Sequence, residues 1–324
     1  MRALRGRPGA RTWEVDEIDT PVPGPGELLV RVRAAGVNRA DLLALGGGYP
    51  VPPADEDGSF TAGMELAGEV VAAGPGVTGA PGRGPGDRVF ASAPAAFAEY
   101  AVVDARRALP VPSGLTWTDA AALPVALETA HDALVTQAGF GADGGAVLVL
   151  GGSTGVGQVA IRLAAALGAA PVLATTTSPA KRAALIDAGA VPLVGVDALG
   201  DLDGPVDVVL DLVGGDHLAA ALPAVRIGGT VVQIGRLAGP TATLDLNTLS
   251  FRRLRLIGTT FSVRTADERA AVAAALTPVL GLVGDGRVRA TVDRVVSLDD
   301  APGAVAHLRS GGAVGKVVIE VAGS

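Results

Sequence analysis

The sequence predicts an α/β protein with two domains, the first mostly β and the second built on a doubly wound parallel sheet. Residues up to about 115 form short apolar runs separated by glycine and proline turns, a pattern typical of strands without long helices. Strand-like and helix-like runs then alternate, with short connections, to about residue 258, as in a parallel sheet covered by helices. At 324 residues, 49% of them hydrophobic, the chain can bury two cores.

In the first part of the chain, strands are predicted where apolar and β-branched residues stand between turn residues. These strands cover residues 28–32, 64–73, 87–91 and 97–103. The glycine-rich stretch 74–86 is predicted to be a surface turn.

The second part begins with a helical stretch over residues 117–138, which Pro124 is expected to break. Strands and helices are then predicted to alternate over residues 146–150, 158–167, 171–175, 180–188, 206–212, 218–225, 230–234 and 254–258. A helix over 267–283 and strand-like runs over 287–297 and 314–321 follow, and the last run is expected to rejoin the first domain. The predicted domains are residues 1–118 with 264–324, and residues 119–263.

The most informative segment is the turn between the apolar run 146–150 and the helix-like run 158–167, which reads Gly151-Gly152-Ser153-Thr154-Gly155-Val156-Gly157. Glycines at such a turn let the backbone approach a pyrophosphate at a helix N-terminus, where free N–H groups favour anions. The order of strand, turn, helix and strand predicts a dinucleotide site, with an ordinary βαβ crossover as the alternative. The predicted contacts are Gly152, Ser153, Thr154, Gly155, Val156 and Gly157.

The residues after the next predicted strand indicate which dinucleotide binds. An acidic side chain there would accept hydrogen bonds from a ribose 2′-hydroxyl, but this chain has Thr175-Thr176-Thr177-Ser178-Pro179-Ala180-Lys181-Arg182. Hydroxyl groups and cations suit a 2′-phosphate, and Lys181 is one of only two lysines in the chain. We therefore predict NADPH, bound through Thr177, Ser178, Lys181 and Arg182. The alternative for the two cations is a solvated first turn of the next helix.

Composition and charge exclude several classes of protein. A net charge of −7 without a basic cluster argues against nucleic acid as a partner, and no apolar run reaches the roughly 18 residues of a membrane span. Residues 1–20 lack the apolar core of a signal peptide, so a cytoplasmic location is expected. With no cysteine and only His131, His217 and His307, no thiol nucleophile and no metal site are expected. Catalysis is expected to depend mainly on a cofactor.

A family resemblance is carried by segments spread over nearly the whole chain: Gly36-Val37-Asn38-Arg39-Ala40-Asp41, Tyr49-Pro50-Val51-Pro52-Pro53, Gly63-Met64-Glu65-Leu66-Ala67-Gly68-Glu69-Val70, the glycine turn, Asp211-Leu212-Val213-Gly214-Gly215 and Gly315-Lys316-Val317-Val318. The chain resembles the zeta-crystallin-type quinone oxidoreductases of the medium-chain dehydrogenase/reductase superfamily, especially the branch of the tumour-suppressor-inducible quinone oxidoreductase. The resemblance implies a GroES-like catalytic domain, a Rossmann cofactor domain, NADPH dependence, and reduction of quinones or α,β-unsaturated carbonyls without zinc. It also implies a homodimer or a tetramer. Zinc-dependent relatives place a cysteine at about Asn38 and a histidine at about Met64, and this chain has neither.

The resemblance implies two catalytic residues. Asn38 matches a position beside the nicotinamide and the acceptor, where an amide can donate to a carbonyl oxygen; alternatively, Asn38 only closes a turn. Tyr49 matches a tyrosine of the substrate pocket and can hydrogen-bond a carbonyl or stack on a quinone; alternatively, its ring packs on nearby prolines. Glu65 is expected to be structural and to pair with an arginine.

Other site residues also follow from the resemblance. Thr129 matches a threonine against the nicotinamide, and His131 replaces an aromatic residue, either as a donor to substrate or cofactor or as a packing residue. Lys316 is expected to reach the cofactor phosphates or to lie in solvent. Further cofactor contacts are expected after strand-like runs, at the carboxyl ends of parallel strands: Val213, Gly214, Gly235, Arg236, Thr259 and Phe261. The expected substrate pocket comprises Tyr49, Thr129, His131 and Phe261.

Three functions remain open from the sequence. The first is an NADPH-dependent reductase of quinones or enones, and the second is an enoyl reductase acting on a thioester-bound or biosynthetic intermediate. The third is a structural or regulatory protein that holds NADPH without turnover. A large acyl carrier or coenzyme A substrate would favour a basic patch, for which Arg252, Arg253, Arg255 and Arg264 are candidates, unless they lie at a subunit edge.

Overall fold

The computed structural model describes residues 1–50, 54–77, 83–141, 143–200, 202 and 204–321. Residues 51–53 of the segment that begins at Tyr49, and residues 78–82 of the predicted surface turn, lie outside the described residues. The chain divides into two units. The first unit comprises Met1–Val125, Ser262–Gly284 and Ala290–Ser324, and the second comprises Ala126–Phe261 and Asp285–Arg289.

The described residues form the following strands: β1 (Arg2–Gly6), β2 (Glu14–Glu17), β3 (Glu27–Val37), β4 (Phe60–Thr61), β5 (Glu65–Ala73), β6 (Arg88–Ser92), β7 (Tyr100–Asp104), β8 (Leu109–Pro110), β9 (Gly145–Leu150), β10 (Ala169–Thr176), β11 (Val191–Val194), β12 (Val206–Asp211), β13 (Val225–Gln233), β14 (Arg255–Gly258), β15 (Val292–Ser297) and β16 (Lys316–Glu320). The helices are α1 (Arg39–Leu45), α2 (Trp117–Ala121), α3 (Pro124–His131), α4 (Gly155–Ala166), α5 (Arg182–Asp187), α6 (Gly215–Ala221), α7 (Leu246–Phe251), α8 (Ala266–Ala275), α9 (Leu280–Gly284) and α10 (Ala301–Arg309). A π-helical turn, Asp132–Gln137, continues α3.

The first unit is mostly β. Its larger sheet has the order β15-β16-β3-β5-β6-β8, with β7 also paired to β3, and its smaller sheet has the order β2-β1-β4. Most residues of β3 alternate between buried and half-buried, as expected for a strand with one face on the core. Trp13 and Phe97 meet edge to face in that core, with ring centroids 5.2 Å apart.

The second unit contains a six-stranded parallel sheet with the order β11-β10-β9-β12-β13-β14. If the six strands β9 to β14 are numbered 1 to 6 along the chain, their order across the sheet is 3-2-1-4-5-6, which is the order of doubly wound dinucleotide-binding sheets. In the central strand β9, Val147, Leu148, Val149 and Leu150 are all completely buried, because helices cover both faces of such a sheet. The predicted α/β fold, with a GroES-like domain and a Rossmann-like parallel sheet, is confirmed.

Several predicted elements differ in detail. The helix predicted over 267–283 is divided into α8, a 3₁₀ turn over Thr277–Val279 and α9. The strand predicted from residue 287 begins only at Val292, and Asp285–Arg289 group with the second unit, where Arg289 pairs with Asp187 at 3.4 Å. The helical stretch 117–138 is divided into α2, α3 and the π-helical turn. In that turn Asp132 accepts hydrogen bonds from Gln137 at 3.3 Å and from Thr259 at 3.2 Å, side-chain contacts that periodicity alone does not reveal.

We predict that Gly36→Ala destabilises the protein by about 2 kcal/mol or more, because a Cβ at this position of β3 would press on the Glu65 carboxylate and lie 2.6 Å from the Ala121 carbonyl oxygen. The measurement is urea or thermal unfolding. Gly258→Ala in β14 is the control, since no described residue other than its two chain neighbours has an atom within 4 Å of the added Cβ. Equal stability of the two variants would contradict the close packing at Gly36.

Candidate cofactor and substrate sites

The glycine turn of the second unit is held by its own side chains and backbone. Thr154 precedes α4 as its N-cap; its Oγ1 accepts a hydrogen bond from the Gly157 N–H at 3.0 Å and donates to the Gly151 carbonyl at 2.9 Å. A Cβ on Gly157 would lie 2.8 Å from the Gly152 Cα, and one on Gly152 would lie 2.7 Å from the Ala174 Cβ. Glycine is therefore required at both positions for the helix to start against the sheet.

The N-terminus of α4 is suited to an anion. The first N–H groups of a helix lack intrahelical partners, and the aligned peptide dipoles favour negative charge there. Gln158, completely buried, donates to the Gly152 carbonyl at 3.0 Å, and Arg162 donates to the Gln158 side-chain oxygen at 3.1 Å. The sequence interpretation missed both residues, although a glutamine and an arginine within an apolar helical run were the available signal.

The hydroxyl and cation segment lies next to this turn, because β10 pairs with β9 in parallel. Gly152 donates its N–H to the Thr175 carbonyl at 2.9 Å, and Gly151 donates to Thr175 Oγ1 at 3.0 Å. Thr175 thus serves the turn itself. The predicted 2′-phosphate residues are more accessible, with Thr177 and Arg182 exposed and Ser178 and Lys181 half-buried.

Loops after β12 and β13 adjoin each other in the same unit. Completely buried Asp211 accepts hydrogen bonds from the N–H groups of Val213 at 2.9 Å and Gly214 at 2.8 Å. Burial raises the pKa of Asp211, and these two bonds oppose the rise. Gly235 donates to the Asp211 carbonyl at 3.0 Å, so it lies beside this loop. Arg236 next to it is exposed.

The remaining predicted residues of the second unit differ in accessibility. Thr129 and His131 of α3 are both buried, and Phe261 is half-buried. Burial lowers the pKa of His131, with Asp132 opposing, so the imidazole is neutral near pH 7. Thr259 is also buried, and its hydroxyl donates to Asp132.

In the first unit, Asn38, Glu65 and Lys316 form a buried cluster. Asn38 Nδ2 donates to Glu65 Oε1 at 2.8 Å, and the Lys316 ammonium donates to both Asn38 Oδ1 and Glu65 Oε1. The other Glu65 oxygen accepts from the Val125 N–H at 2.7 Å. One expectation is wrong, because Glu65 pairs with a lysine rather than an arginine. Of the two alternatives for Lys316, a position in solvent is also wrong, since the residue is only 3% exposed, while contact with the cofactor phosphates stays a prediction.

Asp41 and Tyr49 lie near this cluster. Asp41, in the first turn of α1, accepts the Asn38 N–H at 2.7 Å through Oδ2, while Oδ1 has no hydrogen-bond partner among the described residues. Burial raises the pKa of Asp41 to about 7. Tyr49 is half-buried against the core and hydrogen-bonded to Ser262, and burial raises the pKa of its phenol.

Within the described residues, no group of three histidine, cysteine, aspartate or glutamate side chains is arranged to hold a metal ion. None of the helices in that part of the chain has the length and apolar character of a membrane span.

Of the arginines considered for a basic patch, Arg252 donates to the Val225 carbonyl at 2.9 Å and Arg255 lies in the edge strand β14. These two belong to the second unit, whereas Arg264 belongs to the first.

Two family models match the chain. Residues 24–113 match the alcohol dehydrogenase GroES-like domain, and residues 186–319 match the family described as zinc-binding dehydrogenase. Among solved structures, mycobacterial Rv1454c complexed with NADPH is 30% identical with a TM-score of 0.85, and the match covers 99% of this chain and 100% of that one.

Curated relatives fall into two groups. Polyketide synthase GfsB of Streptomyces halstedii is 33% identical over 91% of this chain, but the chain spans only 5% of that protein. It spans 8% or 15% of three further polyketide synthases. Quinone oxidoreductase-like protein 2 of Bos taurus is 29% identical over 96% of this chain and 90% of its own length.

We predict that Asp41→Asn alters the pH dependence of stability. The folded-state pKa of Asp41, about 7, lies above its ordinary value of 3.8, so its protonated form stabilises the fold, and that contribution is lost as the pH rises through this window. An asparagine oxygen can still accept the Asn38 N–H. The variant should therefore gain in melting temperature relative to wild type as the pH rises from about 4 to about 7, and the difference should level off above that. A constant difference across these pH values would contradict the raised pKa.

Proposed function

Because this chain belongs to the medium-chain dehydrogenase/reductase superfamily of oxidoreductases, we propose that it is an NADPH-dependent reductase of quinones or α,β-unsaturated carbonyls, of the zeta-crystallin type. One observation carries the proposal: in the second unit a glycine turn at a helix N-terminus adjoins a segment of hydroxyls and cations. Bound NADPH would supply the hydride. The chain's own residues bind its phosphates, orient the acceptor and exclude water.

The residues present fit this cofactor. The glycines at 152 and 157 let α4 begin close against the sheet, and the first N–H groups of α4 suit the pyrophosphate. Lys181 and Arg182, with Thr177 and Ser178, suit a 2′-phosphate, and residues 175–182 contain no carboxylate that would repel it. Rv1454c, whose structure is complexed with NADPH, supports the same choice. Val213, Gly214, Gly235, Arg236 and Thr259 are proposed to complete the cofactor site.

We propose that the reaction needs no zinc, although one matching family is described as zinc-binding. Asn38 and Met64 stand where zinc-dependent relatives have a cysteine and a histidine. The Glu65 carboxylate is already neutralised by the Lys316 ammonium, which leaves little reason for a divalent cation to bind beside it.

For the acceptor we propose contacts with Asn38 and Tyr49 of the first unit. An amide N–H and a phenol O–H both donate to carbonyl oxygens, and such donors stabilise the negative charge that develops there as hydride arrives. The neutral imidazole of His131 favours packing over proton donation, so we assign it no proton transfer.

A second candidate function is enoyl reduction of a thioester-bound intermediate. The matches to polyketide synthases favour it, since the chain matches 91% or more of its length to each of the first four. The reaction would use the same hydride chemistry at a β-carbon.

We also propose a homodimer, or a tetramer, for which the edge strand β14 with the exposed Leu256 offers a contact. The cytoplasmic location stays a prediction.

We predict that Lys181→Ala and Arg182→Ala each raise the Kd for NADPH by about tenfold or more, and change the Kd for NADH by less than about twofold, since one charge-assisted contact to a phosphate is lost. Calorimetry with both nucleotides measures this. Arg33→Ala in the first unit is the control. Equal weakening of both nucleotides would show that this segment does not read the 2′-phosphate.

We predict turnover of NADPH with 9,10-phenanthrenequinone or a simple enone, followed by loss of the reduced nicotinamide absorbance, in metal-free buffer. A crotonyl thioester in the same assay tests the second candidate. Tight NADPH binding without turnover on any acceptor would instead favour a non-catalytic NADPH-binding protein. Stoichiometric zinc in the purified protein would contradict the metal-free reaction.

A further inference from the structure

The cluster of Asn38, Glu65 and Lys316 is set by strand register. β16 pairs with β3 so that Val317 faces Val37, and β3 pairs with β5 so that Ala35 faces Leu66. One step further along each pair brings Lys316 beside Asn38 and Glu65 beside Gly36. Three adjacent strands thus deliver one ammonium, one carboxylate and one amide to the same buried place.

Hydrogen bonds close this cluster into a ring. Lys316 donates to both other members, and Asn38 donates to the Glu65 oxygen that also accepts from Lys316. Glu65 is completely buried, Lys316 is 3% exposed and Asn38 is 8% exposed. If the ion pair opened, each buried charge would be left without its partner. The pair therefore strongly resists opening.

The two charged partners fix which way the Asn38 amide points. An ammonium has only donors and a carboxylate has only acceptors. If the amide turned by 180°, its NH2 would face the Lys316 ammonium and its oxygen would face the Glu65 carboxylate, so both bonds would become repulsive. Only one orientation is compatible with the pair.

In that orientation Asn38 still has a hydrogen to offer. One Nδ2 hydrogen goes to Glu65, and among the described residues the other meets only the Gly36 carbonyl, at a long 3.4 Å. The opposite edge of the amide, Oδ1, is occupied by Lys316. The amide is therefore held as a donor.

We propose that Lys316 and Glu65 are positioning residues, which hold Asn38 with its N–H edge available to the carbonyl oxygen of the acceptor. This role rests on the proposed reductase function, in which Asn38 polarises the acceptor. Neither residue touches the reacting atoms. The positioning role also accounts for the burial of Lys316, one of the two lysines of the chain.

The orientation of the amide can be tested without any turnover. The chain has only two asparagines, Asn38 and the exposed Asn247, so selective 15N-asparagine labelling gives two side-chain NH2 signals. We expect the Asn38 proton that is donated to Glu65 to exchange with solvent at least about 100-fold more slowly than the side-chain protons of Asn247. In Glu65→Gln/Lys316→Met, which removes both charges with little change of volume, this protection should fall at least about tenfold. Unchanged protection in the double variant would overturn the proposal.

Kinetics provide the second readout. The double variant should lose about tenfold or more in kcat, with the KM for NADPH changed less than about twofold. In an Asn38→Ala background the same double substitution should cost nothing further, because it acts through Asn38. The control is Arg33→Met/Glu69→Gln, an ion pair between β3 and β5 with 27% and 37% exposure, which should keep wild-type kcat.

The outcomes separate the two proposals. Two results would overturn the positioning role in a protein whose wild type turns over. One is a double variant that keeps the full wild-type kcat. The other is a loss of kcat from the double substitution that is as large in the Asn38→Ala background as in wild type. A protected Asn38 amide that the double variant releases, in a protein with no turnover on any acceptor, would support the positioning and overturn the reductase function.

Discussion

The buried carboxylate of Glu65 is the group on which the first unit depends. It accepts hydrogen bonds from Asn38, Val125 and Lys316, and Lys316 is 251 residues away in the chain. A carboxylate without these partners would cost several kcal/mol to bury. The register of β16 on β3 and of β3 on β5, and the missing side chain at Gly36, are therefore conditions for this one group to be buried.

In the second unit, neutral hydrogen-bonding groups rather than an ion pair hold the glycine turn in place. These groups are the Thr154 and Thr175 hydroxyls, the Gln158 amide and the backbone. The Lys181 and Arg182 cations remain at least partly accessible at the next strand end. The first unit neutralises the Glu65 carboxylate internally, whereas the second unit keeps the Lys181 and Arg182 cations partly accessible, which suits the binding of an anionic group there.

Much of this arrangement could be predicted from the sequence. The glycine turn, the alternation that gives the parallel sheet and the segment after β10 all depend on residues close together in the chain. The lysine partner of Glu65 and the burial of Lys316 were not predicted, because the two residues are far apart in the chain and only the pairing of β16 with β3 and of β3 with β5 brings them together. The burial of Gln158 and Arg162 was missed because periodicity identifies the helix but does not show what its polar side chains contact.

The sequence by itself determined the fold class, the place of the glycine turn before α4 and the hydroxyl and cation content of the segment after β10, because local backbone geometry and residue type specify these features within about 40 residues. Only the tertiary structure decided which groups share a buried position, since pairing of distant strands brings Asn38, Glu65 and Lys316 together. Tertiary burial also decided protonation: it raises the pKa of Asp41 to about 7 and lowers that of His131. Both pKa shifts come from exclusion of solvent, which depends on the whole fold and cannot be predicted from a short segment of sequence.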